Sequence, residues 1–409
     1  MYIEEPARRV RVCGNYDVVV AGGGIAGIAA AIAAARGGAS VCLLEKESAL
    51  GGLATLGVVT VWLPLCDGRG HQVIGGLGEE LLRLSVADLR EDRTGSRWSR
   101  VPDCWLPGGD KEERQHKRYI ASFNPTAYLL ALERLLAETG VALLYDTRVC
   151  SVRREDSRVT HLVVENKGGR AAIGCSVVVD ATGDADVCHL AREATESLDT
   201  NVLAGWFYAL QGGDLHLQML THAFSPVAGR EGAEQPFFRG DDGDQVTRQI
   251  MGSRELIRQR LDRLREQRPH EDVQPVLVPT IACLRMTRRL VGATTLQGSH
   301  VHAWADDAIG LSGDWRKPGP VYAIPWGTLC GVHNRNLLAA GRCISADASV
   351  WDVTRVIPPC AVTGEAAGTG AAMAARTTSG DLRQLPVSAL QHRLEAQGVL
   401  LDRALVEAP

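Results

Sequence analysis

The feature that most constrains this chain is a glycine pattern between two apolar runs near its start. Residues 16–21 (YDVVVA) are a continuous apolar segment, typical of a strand buried on both faces. Gly22, Gly24 and Gly27 follow with the spacing G-x-G-x-x-G, and the Ala-rich residues 25–35 favour a helix. A second apolar run, residues 41–44, ends at Glu45. Strand, helix and strand within about 30 residues predict a βαβ unit with parallel strands.

This pattern predicts that the first turn binds a dinucleotide. Gly22 permits the tight turn, Gly24 lets a diphosphate approach the backbone, and Gly27 lets the helix pack closely on the strand. The helix N-terminus offers N–H groups and a positive dipole to the phosphates. Glu45 is placed to accept hydrogen bonds from ribose hydroxyls. The alternative is a glycine-rich turn that serves only packing.

Three later segments extend this pattern. Residues 50–55 (LGGLAT) bring a Gly-Gly pair shortly after Glu45. Residues 177–184 (VVVDATGD) are another apolar strand that ends in a polar turn. Residues 336–342 (NLLAAGR) are a further strand, and a small-residue helix over 358–375 follows, with its opening near Cys360. The dipole of that helix would stabilise negative charge near its N-terminus.

Together the four segments resemble the FAD-dependent oxidoreductase family of the glutathione-reductase-like superfamily, related to the fumarate reductase and thiazole synthase groups. The resemblance runs from about Tyr16 to Ala375 and is closest to a bacterial branch labelled xanthan-lyase-like, a label that does not describe a reaction. Local matches include residues 62–67 (WLPLCD) and 313–317 (GDWRK). The resemblance implies FAD as the cofactor. The expected cofactor-binding residues are Gly22, Gly24, Ala26, Gly27, Glu45, Lys46, Gly51, Gly52, Leu53, Ala54, Thr55, Val149, Thr182, Gly183, Asp184, Gly341, Arg342, Pro359 and Gly364.

Motifs that are missing from the sequence reduce the number of flavoprotein classes to consider. It has one strand–GxGxxG–helix unit and no C-x-x-C pair among its 11 cysteines, so a disulfide reductase is disfavoured. We therefore expect a dehydrogenase or oxidase that moves a hydride from a small polar substrate to flavin N5, with oxygen or another redox partner as acceptor. Two alternatives stay open. One is a reductase of an unsaturated or carbonyl substrate, and the other is a non-catalytic scaffold that binds FAD or NAD.

The expected fold class is α/β, with a Rossmann-like FAD-binding domain built on a parallel sheet and an inserted α+β substrate domain. Between about 200 and 330 the pattern changes to period-two strands and one long polar helix, residues 246–267. The expected division is 1–65, 121–199 and 331–409 for the FAD-binding domain, 66–120 for a flavin-proximal segment and 200–330 for the substrate domain. A hairpin is expected around residues 167–170.

The densest polar group before the last helix is residues 351–360 (WDVTRVIPPC). Arg355 could bind a substrate carboxylate or polarise a carbonyl. Asp352 is a candidate general base, with a structural ion pair to Arg355 as the alternative. Cys360, at a helix N-terminus, could have a lowered pKa, although a small packing residue is the commoner role.

Other candidates are more distant in the sequence. Residues 285–289 (RMTRR) are expected to form a strand with Arg285 and Arg289 on one face and Arg288 on the other. One face is expected to meet a site and the other solvent, with Arg288 as the catalytic candidate. A solvated edge strand is the alternative. His71 follows the Gly-Gly segment and could approach the other face of the flavin. His300 and His302 alternate on one expected strand face, but no third ligand has suitable spacing, so no metal site is predicted.

Composition limits the partners. With 44 Lys and Arg against 48 Asp and Glu, the net charge of −4 argues against a nucleic-acid binder. The chain has no apolar run of about 18 residues, so no membrane span is expected. The acidic start lacks an apolar leader, and scattered cysteines are typical of a reducing compartment, so a cytoplasmic enzyme is expected, with a homo-oligomer as a possibility.

Overall fold

The first apolar run lies at the centre of a mixed seven-stranded sheet. The structure is a computed structural model and describes residue 3 and residues 7–89, 98–220 and 236–407. Its helices are α1 (Ile25–Arg36), α2 (Gly76–Ser85), α3 (Pro125–Glu138), α4 (Asp186–Leu190), α5 (Gly243–Gln267), α6 (Trp351–Thr354), α7 (Ile357–Thr377), α8 (Val387–Ala396) and α9 (Arg403–Glu407). Its strands are β1 (Arg11–Ala21), β2 (Val41–Leu44), β3 (Val61–Trp62), β4 (Ala121–Ser122), β5 (Ala142–Leu144), β6 (Arg148–Glu155), β7 (Arg158–Asn166), β8 (Gly169–Asp180), β9 (Thr195–Ser197), β10 (Trp206–Gln211), β11 (Asp214–Met219), β12 (Val273–Leu277), β13 (Arg288–Leu290), β14 (Ala308–Gly313), β15 (Val321–Pro325) and β16 (Leu337–Ala339).

The main sheet confirms the predicted α/β class. Its strands run in the order β5-β2-β1-β8-β7-β6, and β16 pairs with β8. The contacts of β1 with β2 and β8, of β2 with β5 and of β8 with β16 are parallel, whereas β6, β7 and β8 form an antiparallel meander. The predicted βαβ unit and the hairpin before β8 are therefore present. Strands from both ends of the chain build this one sheet.

The apolar run in β1 is explained by burial on both faces. Val18 and Val20 belong to the large core that contains α1 and α7. Val19 and Ala21 point the other way, into a second core with residues of β7 and α4. Since successive side chains of a strand alternate between faces, a strand covered on both sides must be apolar throughout.

Helices α1 and α7 pack against each other through glycines. A Cβ at Gly364 would overlap the carbonyl oxygen of Ala26, and one at Gly368 would overlap that of Ala30. Both glycines are buried in this contact. The expected role of Gly364 in cofactor binding is therefore corrected, because the space for its side chain is taken by the backbone of α1 and not by a ligand cleft.

The segment after residue 200 contains its own small core. Strands β10, β11 and β12 form a three-stranded sheet, and Phe207 packs with Ile257 and Leu261 of α5. The expected long helix is present, and the Asp242 side chain accepts a hydrogen bond from the backbone N–H of Gln245 at 2.9 Å, which caps α5. Strands β14 and β15 instead pack in the large core with α7. The expected division into domains remains a prediction, and parts of segments 1–65, 66–120, 200–330 and 331–409 lie outside the described residues.

Two expected strand patterns are wrong. His300 ends a short 3-10 turn, and His302 has a φ of 58° and its ring contacts the carbonyl of Val406 at 2.8 Å, so the two do not alternate along a strand. In residues 285–289, only Arg288 and its successor belong to β13. The Asn201 side chain accepts from the backbone N–H groups of Arg285 and Met286 at 2.7 and 3.2 Å, in place of a strand ladder.

The described residues show neither a metal-binding cluster nor a membrane-spanning helix. They contain no group of three or more His, Cys, Asp or Glu side chains arranged to hold a metal ion. No described helix combines the length and the apolar character needed to cross a bilayer.

One buried acid makes the stability of the fold depend on pH. Glu365 of α7 is 2% exposed and accepts a hydrogen bond from the Leu77 backbone N–H at 2.8 Å, at the start of α2. Burial raises the pKa of Glu365 from 4.5 to about 8. Between these values the folded state keeps a proton that the unfolded chain has lost, so this group destabilises the fold as pH rises.

Glu365→Gln should therefore gain stability relative to the unmodified chain as pH increases. We expect the difference in Tm between the two proteins to be small at pH 5 and to grow in favour of the variant up to about pH 8.5. Scanning calorimetry at both pH values measures it. A difference that is constant with pH would show that Glu365 titrates normally in the folded protein.

Candidate functional site

A cleft of about 590 Å³ opens beyond the carboxyl ends of β1, β2 and β8. Ligands of open parallel sheets bind at this edge. One part of the wall, the Glu45 side, is formed by Glu45, Lys46 and residues 147–150 and 189–190. Another, the Arg355 side, is formed by residues 281, 282, 284, 341, 342, 355, 357 and 360. The glycine turns lie along the same cleft, so it collects most of the sequence motifs.

The backbone of the first turn is shaped for a close ligand approach. Gly22 has a φ of 104°, and a Cβ there would overlap the carbonyl oxygen of Ala181. A Cβ at Gly24 would meet no atom within 4 Å, so this position is open toward the cleft. The Gly51 N–H donates to the Gly23 carbonyl at 2.8 Å, which aligns the second glycine segment with the first. Such a cradle fits a diphosphate bound by backbone N–H groups at the start of α1.

Glu45 supports this turn as well as facing the cleft. Its carboxylate accepts hydrogen bonds from the backbone N–H groups of Gly23 at 2.6 Å and Glu47 at 2.8 Å. Burial raises the pKa of the carboxyl group, and the two backbone donors oppose that shift. Each carboxylate oxygen can accept more than one hydrogen bond, so the predicted ribose contact is compatible with this bracing.

Most of the expected cofactor residues line the cleft. They are Gly22, Gly24, Ala26, Glu45, Lys46, Gly51, Gly52, Leu53, Ala54, Val149, Thr182, Gly183, Asp184, Gly341 and Arg342. Gly27, Thr55, Pro359 and Gly364 do not. A Cβ at Gly27 would overlap the Gly22 carbonyl oxygen, which fits its expected packing role, and the Thr55 hydroxyl is buried and donates to the Leu50 carbonyl.

Arg342 connects the later motifs. Its guanidinium donates to the carbonyl oxygens of Gly183 at 2.8 Å and Leu284 at 2.9 Å, and it forms an ion pair with Asp184 at 2.8 Å. The side chain is 13% exposed. Arg342 therefore holds the turn after β8, the segment after strand β16 and the distant Leu284 in one wall of the cleft.

Arg355 lines the cleft and is paired with one acid, Asp352. The Nε of Arg355 donates to Asp352 Oδ1 at 2.7 Å, and a second guanidinium nitrogen contacts the same oxygen. Asp352 is 2% exposed and does not line the cleft, so the ion pair that was the structural alternative for it is present. Burial, and to a lesser extent the charge of Arg355, lower the pKa of Arg285 to about 10.

Two further candidates have other surroundings than expected. Burial raises the pKa of Cys360 to about 12, so the expectation of a lowered pKa is wrong, although the thiol does line the cleft. The His71 side chain is 61% exposed, pairs with Asp67 at 2.8 Å and lines a separate surface cavity with Arg69 and Arg114. The expected approach of His71 to the cleft is therefore corrected.

Some lining residues were missed by the sequence reasoning. Arg288 lines the cleft as expected, but it pairs at 2.6 Å with Asp186, which no motif had singled out. The position of Asp186 two residues after Asp184, past the end of β8, is a local signal that could have revealed it. Residues 240–243, 281, 282 and 284 have no such signal, since only the tertiary fold brings them to the cleft.

The chain is similar in sequence and in fold to known proteins. The chain matches the family described as FAD dependent oxidoreductase over residues 17–201 and 218–394. A digeranylgeranylglycerophospholipid reductase of Methanoculleus marisnigri is 29% identical over 176 residues, which are 41% of this chain and 39% of the length of that relative. A geranylgeranyl bacteriochlorophyll reductase-like protein of Thermoplasma acidophilum is 13% identical, with 97% of this chain and 92% of that chain covered and a TM-score of 0.47. The p-nitrophenol 4-monooxygenase of Pseudomonas putida is 10% identical, with 97% of this chain and 90% of that chain covered and a TM-score of 0.46.

The protein belongs to the FAD-dependent oxidoreductase family. It is therefore an enzyme and FAD is its cofactor, as the motifs implied. Membership of this family does not support the alternative of a non-catalytic scaffold. In the cleft, the glycine turns would hold the diphosphate of FAD. The Glu45 side would hold the ribose and adenine, and the Arg355 side would hold the flavin ring.

Proposed function

We propose that this enzyme moves a hydride between a small polar substrate and FAD, and that the substrate binds at the Arg355 side through an anionic group. When bound, FAD supplies the ring atom N5 that exchanges the hydride. The observation that carries the proposal is Arg355, which lines the cleft and is held by the buried carboxylate of Asp352. The charge of Arg355 also helps to lower the pKa of the neighbouring Arg285 guanidinium.

The charges there favour an anion. Two guanidiniums close together repel each other, and a substrate carboxylate between or beside them would relieve that repulsion. Arg355 presents a planar set of donors suited to a carboxylate, and Asp352 fixes its orientation. In this arrangement Asp352 is a positioning residue. The buried Cys360 thiol stays protonated, because its pKa is about 12, and acts as a small packing group.

The proposed direction is oxidation of the substrate. A C–H bond gives up a hydride, the O–H or N–H proton passes to a base or to water, and oxygen or another acceptor later removes the two electrons. The reverse direction is the second candidate, because the Methanoculleus relative is named a reductase. Since that relative is matched over only 39% of its length, its substrate is not proposed for this chain.

Anaerobic flavin bleaching separates the two directions. Oxidised holoenzyme is mixed with a panel of hydroxy acids, amino acids and their uncharged alcohol and amine counterparts. Bleaching by an acid but not by its uncharged counterpart is the expected result. If only chemically reduced enzyme reacts, and unsaturated acids reoxidise it, the enzyme is the reductase.

Arg355→Gln should slow substrate-dependent flavin reduction by about 100-fold or more, because an oriented charge contact to the substrate is lost. Removing Arg355 also leaves the buried Asp352 carboxylate without that guanidinium, which costs about 3–5 kcal/mol of stability. The double variant Asp352→Asn with Arg355→Gln separates the effects, since it should regain stability but not activity. Stopped-flow absorbance and flavin content are the measurements. Full activity in the double variant would place the substrate elsewhere.

A finer placement rests on sequence alone. We propose that the chain lies in the bacterial branch labelled xanthan-lyase-like, within the glutathione-reductase-like superfamily. Residues 62–67 and 313–317 support this. In the fold, Trp315 of the second segment donates its ring N–H to the Asp352 carbonyl at 2.9 Å, so that segment reaches the proposed substrate side.

A further inference from the structure

We infer that the ion pair between Arg288 and Asp186 is a charge-compensating part of the FAD site: Arg288 binds the diphosphate of FAD, and Asp186 takes up a proton from solvent when FAD binds. This gives Arg288 a role in binding the cofactor, whereas the sequence made it a candidate catalytic residue. It also makes the affinity for FAD depend on pH.

The pair lies beside the glycine turn that would hold the diphosphate. The Gly22 turn packs directly on the turn after β8, since a Cβ at Gly22 would overlap the carbonyl oxygen of Ala181. Asp186 begins α4 directly after that turn, and its backbone N–H donates to the Thr182 hydroxyl at 3.0 Å. Asp186 and Arg288 line the same cleft as Gly22. A diphosphate at the glycine turn therefore lies next to this ion pair.

The backbone before Asp186 is held in an unusual conformation. Ala185 has a φ of 52° and is fully buried. Left-handed backbone at a residue with a Cβ costs about 1–2 kcal/mol and persists where the surrounding structure imposes it. Here it directs the following residue, Asp186, toward the cleft and the side chain of Arg288.

Arg288 has donors to spare for a phosphate. Its Nη2 contacts Asp186 Oδ1 at 2.6 Å and its Nε donates to the Asp184 carbonyl at 2.9 Å. The side chain is 11% exposed, so these contacts hold it in place. A guanidinium carries five N–H groups in one plane, and it binds phosphates in a bidentate manner.

The surroundings of Asp186 already disfavour another negative charge. Half of its side chain is accessible from the cleft, yet it lies deep among protein atoms, and desolvation together with Asp184 and Asp180 raises its pKa to about 6. Arg288 and Lys46 oppose this shift. His189, on the same short helix, also lines the cleft. A diphosphate would add negative charge and would share the positive charge of Arg288 with Asp186, so both effects raise the pKa of Asp186 further.

The proposal fixes the direction in which pH changes the affinity for FAD. Because the complex would hold a proton that free enzyme has lost above about pH 6, FAD binds more tightly as pH falls. A further rise of about one pKa unit on binding corresponds to an affinity about tenfold higher at pH 5 than at pH 8.

The experiment uses the full chain after its flavin is removed. Fluorescence titration gives the Kd for FAD between pH 5 and 8, and calorimetry in buffers of different ionisation enthalpy gives the protons taken up. We expect the unmodified chain to bind about tenfold more weakly at pH 8 and to take up protons near pH 6.5. Asp186→Asn should bind FAD tightly at both pH values and show much less proton uptake.

Arg288→Gln tests the other half of the pair. It should weaken FAD binding by about tenfold or more at every pH and reduce the salt dependence of Kd. The matched controls are Arg265→Gln and Asp262→Asn, an exposed ion pair at 3.3 Å on α5, which should leave all values unchanged. An Asp186→Asn variant with the same pH dependence as the unmodified chain contradicts the proposal, and so does unchanged affinity in Arg288→Gln. If either variant fails to fold, the absence of proton uptake by the unmodified chain is sufficient to overturn it.

Discussion

Gly24→Val is expected to abolish flavin binding without harming the fold. The backbone at Gly24 has φ −72° and ψ 178°, an extended conformation that valine adopts readily. No atom lies within 4 Å of an added Cβ, so the protein itself accommodates the larger side chain. The added methyl groups occupy the cleft where backbone N–H groups would meet the diphosphate. We expect the affinity for FAD to fall by at least about 100-fold, or about 2.8 kcal/mol.

The measurements separate ligand binding from folding. The purified variant should be colourless, and fluorescence titration should find weak or no binding of FAD. Its Tm should match that of the flavin-free form of the unmodified chain, and Gly24→Ala should give an intermediate Kd. A yellow Gly24→Val protein would mean that the diphosphate does not approach this turn.

The parts of the fold that the sequence predicts are those set by local chemistry. The apolar run of β1, the glycines after it and Glu45 are consecutive features of one βαβ unit, and each has a steric or hydrogen-bonding reason that acts over a few residues. For this reason the parallel pairing of β1 with β2 and the position of the cleft follow from the sequence. Helix α5 was also predictable, because its length and polarity are local properties.

The features that the sequence did not predict depend on tertiary contacts. Asn201 takes the backbone N–H groups of Arg285 and Met286, a contact across more than 80 positions that no local pattern reveals. The helix N-terminus suggested a lowered pKa for Cys360, but burial has the larger effect and raises it. Gly364 was assigned to the cofactor because it follows a cofactor motif, whereas its neighbour in space is Ala26 of α1.

Gly368→Ala is expected to destabilise the fold, although alanine favours helices. An added Cβ would overlap the carbonyl oxygen of Ala30, and it would also lie 2.7 Å from the Ala30 carbonyl carbon and 2.8 Å from its Cα. These are backbone atoms of α1, so the overlap can be relieved only if α1 and α7 move apart. Both helices pack in the buried core, which opposes that movement. Overpacking of this kind costs about 1–3 kcal/mol or more, against a gain of about 1 kcal/mol in helix propensity.

The net loss for Gly368→Ala should be about 2 kcal/mol, seen as a decrease in Tm of about 2–3 °C for a chain of this size. Gly252→Ala is the matched control, because Gly252 is also inside a helix but its added Cβ would meet only the end of the flexible Leu203 side chain, at 2.7 Å. That side chain can turn aside, so the propensity gain should leave the control unchanged or slightly more stable. Equal behaviour of the two variants would show that α1 and α7 are not held together by this close backbone contact. A loss confined to Gly368→Ala would show that α7, which begins at the proposed flavin-ring side, is positioned by the glycine-dependent packing on α1.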